Sequence, residues 1–132
     1  AAVRSKLSTV QRWYAEQVAY LMDRLAAIPE GSGTVLDHTL ILWGNELGNP
    51  STHGNIGVPT VLAGGASGML RMGRYVKLRP TNVNPLQGWS ASGQKAPNTV
   101  AHNKLLVTLA NAFGVAIDKF GHPDYAGSLS EL

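Results

Sequence analysis

Between Gly44 and Gly57 the chain carries a polar stretch that includes Asn45, Glu46, Asn49, Ser51, Thr52 and His53. A carboxylate and an imidazole so close in sequence are donor types that bind Zn²⁺ and similar ions, at about 2.0–2.2 Å from the metal. A metal held there would make a bound water or hydroxyl nucleophilic near neutral pH. Two readings are open at this point. Glu46 and His53 are metal ligands, or the segment is a polar surface loop whose Asn and Ser side chains satisfy turn amides.

The remaining histidines divide in the same way. His102 lies near the start of a helical segment, where it is either a further ligand or a partly exposed helix residue. His38, next to Asp37 at the entrance to a strand, reads as structural, and His122 in Gly121-His122-Pro123-Asp124 reads as a turn residue. Trp43 ends an apolar run and reads as core. A serine nucleophile motif is missing: the chain has no G-x-S-x-G, no P-loop, no G-x-G-x-x-G and no H-E-x-x-H. The run Gly64-Gly65-Ala66-Ser67-Gly68 is glycine-rich but lacks the lysine and following helix of a phosphate cradle. The sequence therefore places the nucleophile of any hydrolase outside these residues.

The elements that position the loop follow from periodicity. Val10, Tyr14, Val18, Leu21, Leu25 and Ile28 recur at helical spacing, which predicts an amphipathic helix over about 8–28, with Ser8 as N-cap and Pro29 and Gly31 as the stop. Gly31 to Gly33 predict a turn. Thr39 to Trp43 and Pro59 to Ala63 are short apolar runs, expected as strands buried on both faces, the second ending in Gly64-Gly65. Residues 70–78 suggest short strands with a hairpin near Met72-Gly73. Residues 81–97 show no periodicity and are expected as a long loop. The last helix is expected over about 99–113, with a stripe of Leu105, Leu106, Leu109, Ala110 and Phe113, Asn98 as N-cap and Gly114 as C-cap. A helix, a buried strand and then a polar loop is an α/β layout, in which ligands sit beyond the carboxyl ends of strands.

Bulk composition bounds the function. The 132 residues fit one domain, 44% are hydrophobic and 14% charged, and there are 15 Gly, 7 Pro and no Cys. A thiolate metal site and a disulfide framework are thereby excluded. The net charge is +3, but the basic residues are scattered from Arg4 to Lys119, which argues against a nucleic-acid partner. The apolar runs are too short for a membrane span. The chain opens Ala1-Ala2-Val3 without a signal peptide or an initiator Met, as expected of a processed or internal start.

The segment Leu36-Asp37-His38-Thr39-Leu40-Ile41-Leu42-Trp43-Gly44-Asn45-Glu46-Leu47-Gly48, followed by His53 and by Pro59-Thr60-Val61-Leu62-Ala63-Gly64-Gly65, resembles the C-terminal region of the HXXSHH-motif proteins. These are largely uncharacterised bacterial proteins related to the alkaline phosphatase and sulfatase-like superfamily. The similarity continues at Gly73-Arg74-Tyr75, at His102 to Val107 and at Phe113-Gly114-Val115, and Trp13-Tyr14 and Leu21 to Leu25 resemble that family's preceding helix. It excludes about Val76 to Ala101.

The resemblance implies that residues 1–132 are a single partial domain. That domain would be the C-terminal part of a three-layer α/β/α domain, with a few buried strands flanked by two long helices. It implies a metal-dependent hydrolase acting on phosphate or sulfate esters, with a divalent metal (Zn, Ca or Mg) and a periplasmic or exported location. Glu46 stands in the acidic ligand position, Leu47 where a histidine ligand would stand, and His53 corresponds to a later histidine ligand. The HXXSHH motif itself and the upstream nucleophile are absent from this chain. The expected partner is the remainder of a parent protein, or another chain that covers the sheet edges. The alternative is a non-catalytic binding or structural module on a degenerate scaffold of the same kind.

Overall fold

The computed structural model describes residues 2–78 and 100–132. The aperiodic stretch 81–97 and the N-cap candidate Asn98 lie outside the described residues. The chain divides into two compact units, Ala1–Ile41 with Ala63–Met69, and Leu42–Leu62 with Leu70–Leu132.

The first unit begins with α1, Ala2–Ala26. Ser8 is not its cap: Ala2 to Leu7 contain no breaker, and Ala, Arg, Lys and Leu all favour helix, so the helix runs through Ser8. Thr9, which would otherwise compete with the helix, donates its hydroxyl to Ser5 O at 3.1 Å. Ala15, Val18, Met22 and Leu25, spaced three, four and three apart, form a half-buried stripe, and α2 packs against α1. Beside it Val3, Leu7, Val10, Tyr14 and Leu21 stay exposed.

Pro29 stops the helix, and β1 (Pro29–Glu30) pairs antiparallel with β2 (Gly33–Thr34). Gly31, at φ +58, supplies the left-handed residue of the two-residue turn between them.

The one-turn helix α2, Val35–His38, is held at its start by Asp37. Its Oδ2 accepts from Thr34 N at 2.7 Å and from the Thr34 hydroxyl at 2.9 Å. These bonds, the backbone one first, hold the carboxyl below its ordinary 3.8, with the neighbouring His38 adding a smaller pull. A depressed folded value means that the stabilisation is complete above the unfolded value and is lost as pH falls through the folded one. Asp37→Asn is therefore expected to lower the thermal midpoint at neutral pH and to make progressively less difference as pH drops below 3.8. Circular dichroism melts across that range measure this; a pH-independent difference would refute the assignment.

The strands β3 (Ile41–Gly44) and β4 (Thr60–Ala63) form a two-stranded sheet. The expectation of strands buried on both faces is corrected. Ile41 and Trp43 are half-buried while Leu42 is exposed, and Val61 is exposed between Thr60 and Leu62. The exposed side chains fall between half-buried ones, the alternation of a sheet with one covered face. Residues 70–78 form no strand; Gly73 turns there at φ +73.

The helix α3, His102–Ala112, has 11 residues, an ordinary length rather than a long one. It ends in a Schellman arrangement: Gly114, at φ +80, donates to Asn111 O, and Val115 donates to Ala110 O. Phe113, counted in the sequence's apolar stripe, is exposed, whereas Val107, outside that stripe, is 1% exposed. The C-terminal tail explains the difference. Asn103, Val107 and Asn111 share one face at i, i+4, i+8. Asn103 donates to Phe120 O at 2.6 Å, and Asn111 pairs with both backbone groups of Ile117 at 3.0 Å. Thr108 Oγ1 accepts from Leu129 N at 2.7 Å, and Leu129 is itself buried. The tail thus lies along α3 and covers a second face.

Candidate functional site

The loop that follows β3 is a closed, self-bonded structure. Asn49 and Gly54 exchange backbone bonds, Gly54 N to Asn49 O at 2.9 Å and Asn49 N to Gly54 O at 3.1 Å, and Gly48 N joins the same carbonyl at 2.8 Å. Across the tip runs a 3-10 turn, Pro50–Thr52, capped by Asn49 Oδ1, which accepts from Ser51 N at 3.1 Å and from its hydroxyl at 2.8 Å. Pro50 at the first position of that turn has no N–H to leave unsatisfied. Asn45 Oδ1 accepts from Leu47 N at 3.3 Å. Asn45 and Asn49 therefore serve the loop's own amides, and Ser51 bonds to Asn49, as in a polar turn.

Glu46 and His53 stand apart from that network. Both are exposed, and among the described residues neither side chain makes a hydrogen bond or ion pair. His53 ends the 3-10 turn at φ 50, ψ 33, in the left-handed region. A non-glycine residue there costs about 1–2 kcal/mol, and the Asn49–Gly54 closure is what holds it. Leu47, between them in the chain, is half-buried.

His102 is the first residue of α3, exposed, and preceded by Ala101 as N-cap without a side-chain bond. Among the described residues no three His, Asp or Glu side chains converge as a metal-binding group. Glu46 and His53 are chemically suited to a divalent ion but number two, fewer than the four positions of a structural zinc site or the three protein ligands of a catalytic one. An open depression in the second unit is lined by Asn111, Ala116, Ile117, Asp118 and Lys119, and by none of the candidate ligands.

Sequence reasoning missed one constellation in the first unit. His38 Nδ1 lies 3.1 Å from Ser67 Oγ, across 29 residues of chain. No short motif marks a pair so far apart. The available signal was the glycine pair Gly64-Gly65 ahead of Ser67, which indicates close backbone approach.

No family model matches the chain, and neither a curated protein nor a solved structure does so. Among the described residues no helix is long and apolar enough to cross a membrane.

Proposed function

We propose that this chain is the C-terminal part of a metal-dependent hydrolase-like α/β/α domain, in which Glu46 and His53 supply half of a divalent-metal site and other ligands and the nucleophile come from outside the chain. The observation that carries this reading is the loop that follows β3: Asn45, Asn49 and Ser51 bond within it, whereas among the described residues the Glu46 carboxylate and the His53 imidazole make no hydrogen bond or ion pair. The left-handed backbone at His53 is a second support, because strain of this kind collects at functional positions. The ester class, phosphate or sulfate, comes from the resemblance alone, as does the exported location.

The need for a covering partner has its own support. The exposed apolar side chains include Val10, Tyr14, Leu21, Leu42 and Val61, each more than 40% accessible. Fully burying one such side chain is worth about 1.5–3 kcal/mol. That stabilisation is realised when further chain lies over α1 and the outer face of the sheet.

Titration with Mn²⁺, followed by NMR line broadening, tests the site. Broadening is expected to centre on Glu46 and His53, to be lost in Glu46→Gln and His53→Gln, and to saturate only weakly, since two ligands cannot complete a coordination shell. Turnover of p-nitrophenyl phosphate and p-nitrophenyl sulfate by the chain alone is expected to be absent. Broadening centred elsewhere, or none, would leave the non-catalytic module as the reading. Strong turnover would overturn the idea of a shared site.

A further inference from the structure

Ser67 and His38 form the one close hydroxyl–imidazole pair among the described residues, and the first unit builds it from its backbone. After β4 the chain turns through Gly64 (φ +103) into a 3-10 turn, Ala66–Gly68, in which two non-glycine residues are left-handed, Ala66 at φ 47 and Ser67 at φ 52. The turn is fastened to α2: Gly65 N donates to Leu36 O at 2.9 Å, and Ala66 N to Thr39 O at 3.1 Å. Gly64 and Gly65 sit so close to the backbone around Leu36 to Thr39 that an added Cβ would lie 2.3 Å from Thr39 O or from Asp37 O. Ala66, at the centre of this junction, is fully buried. Consecutive left-handed residues cost free energy that the junction must offset, and they lift the exposed Ser67 hydroxyl onto His38 Nδ1 at 3.1 Å. A serine held on a strained turn, with an imidazole in hydrogen-bond reach, meets the first geometric condition for activating a hydroxyl, a base within reach of its proton.

We propose that Ser67 and His38 are a nucleophile and its base, and that Ser67 accepts acyl groups from activated carboxylic esters. With its proton on Nε2, the His38 ring accepts the Ser67 hydroxyl at Nδ1. Oγ bonds to the acyl carbon as its proton passes to Nδ1, the ester's C–O bond breaks, and the leaving oxygen departs with the electron pair and takes up the proton. Water then releases the acid and restores the serine.

The class of ester follows from what the turn withholds. The amide after a serine nucleophile is the usual oxyanion donor, but here Gly68 N donates to Gly65 O at 2.9 Å. The substrate must therefore carry a leaving group that departs without that help. This site uses residues of the first unit only and is independent of Glu46 and His53.

The test is p-nitrophenyl acetate with peptide mapping by mass spectrometry. Ser67 is expected to be acetylated at least tenfold faster than the chain's other serines, and His38→Gln to slow Ser67 alone by about a hundredfold. Ser67→Gly, which suits the left-handed backbone and should leave the circular dichroism spectrum unchanged, is expected to remove the phenolate burst. Added chelator should change none of these. Acetylation of Ser67 no faster than of other serines, or an unchanged rate in a folded His38→Gln variant, would overturn the proposal.

Discussion

Gly65→Ala is expected to lower the thermal midpoint by roughly 10 °C or more. An alanine Cβ at this position would lie 2.3 Å from Asp37 O, 2.7 Å from Asp37 Cα and 2.8 Å from Asp37 C. All three are backbone atoms, so no rotamer change relieves the contact. The turn must withdraw from α2, and the bonds Gly65 N to Leu36 O and Ala66 N to Thr39 O go with it. Overpacking of this kind costs about 1–3 kcal/mol, and each lost bond adds about 1 kcal/mol. The sum, about 3–5 kcal/mol, is a large share of the stability of a small domain. The 3.1 Å approach of Ser67 to His38 depends on the same junction, so Ser67 acetylation should fall in parallel. Gly73→Asn is the control: nothing lies within 4 Å of its Cβ position, and Asn tolerates φ +73, so little change is expected. Thermal unfolding followed at 222 nm checks both, and an unshifted midpoint for Gly65→Ala would show that the turn yields more easily than its contacts imply.

What the sequence disclosed depended on how local each cause is. The helix stop at Pro29, the turn at Gly31, the two strands, the Gly64 turn and the Gly114 cap each follow from a few adjacent residues with restricted backbone options, and all were legible. The Ser8 cap misled because a cap signal also occurs inside helices, where a hydroxyl can bond back into its own turn. Strand burial misled because an apolar run reports what the residues can bury, not what lies over them among the described residues. Leu42 and Val61 are the cost of that gap. The buried face around Val107 was hidden for a different reason. It is made by a tail without periodicity, fastened through Asn103 and Asn111, and polar anchors of that kind leave no trace in a hydrophobic pattern. The candidate site divides along the same line. Glu46 and His53 were visible as donor types in one loop, whereas the His38–Ser67 pair exists only because two glycines admit one backbone against another.

The loop offers the sharpest separation between a positioned pair of side chains and two residues that merely share a polar segment. Gly48→Ala is expected to open it. The added Cβ would sit 2.1 Å from Ile56 O, 3.0 Å from Ile56 C and 3.1 Å from Gly57 C, again all backbone. The two sides of the loop must part, and the three bonds joining Gly48 and Asn49 to Gly54 are those that part with them. Loss of about 2–3 kcal/mol of local stability corresponds to roughly hundredfold faster hydrogen exchange at Asn49 and Gly54, because exchange there follows local opening. The apolar side chains buried around α3, Leu105, Val107 and Leu129, make no part of this loop, so the helical signal should persist while the loop loosens. Released from the closure, His53 has no reason to keep φ 50 and relaxes toward the ordinary right-handed or extended backbone. If Glu46 and His53 bind an ion together, Mn²⁺ broadening at both should then disappear, although neither side chain has been altered. If each binds independently as a surface group, broadening should survive the substitution. Exchange rates unchanged at Asn49 and Gly54 would mean that the closure does not set the loop's stability, and the strain at His53 would then need another source.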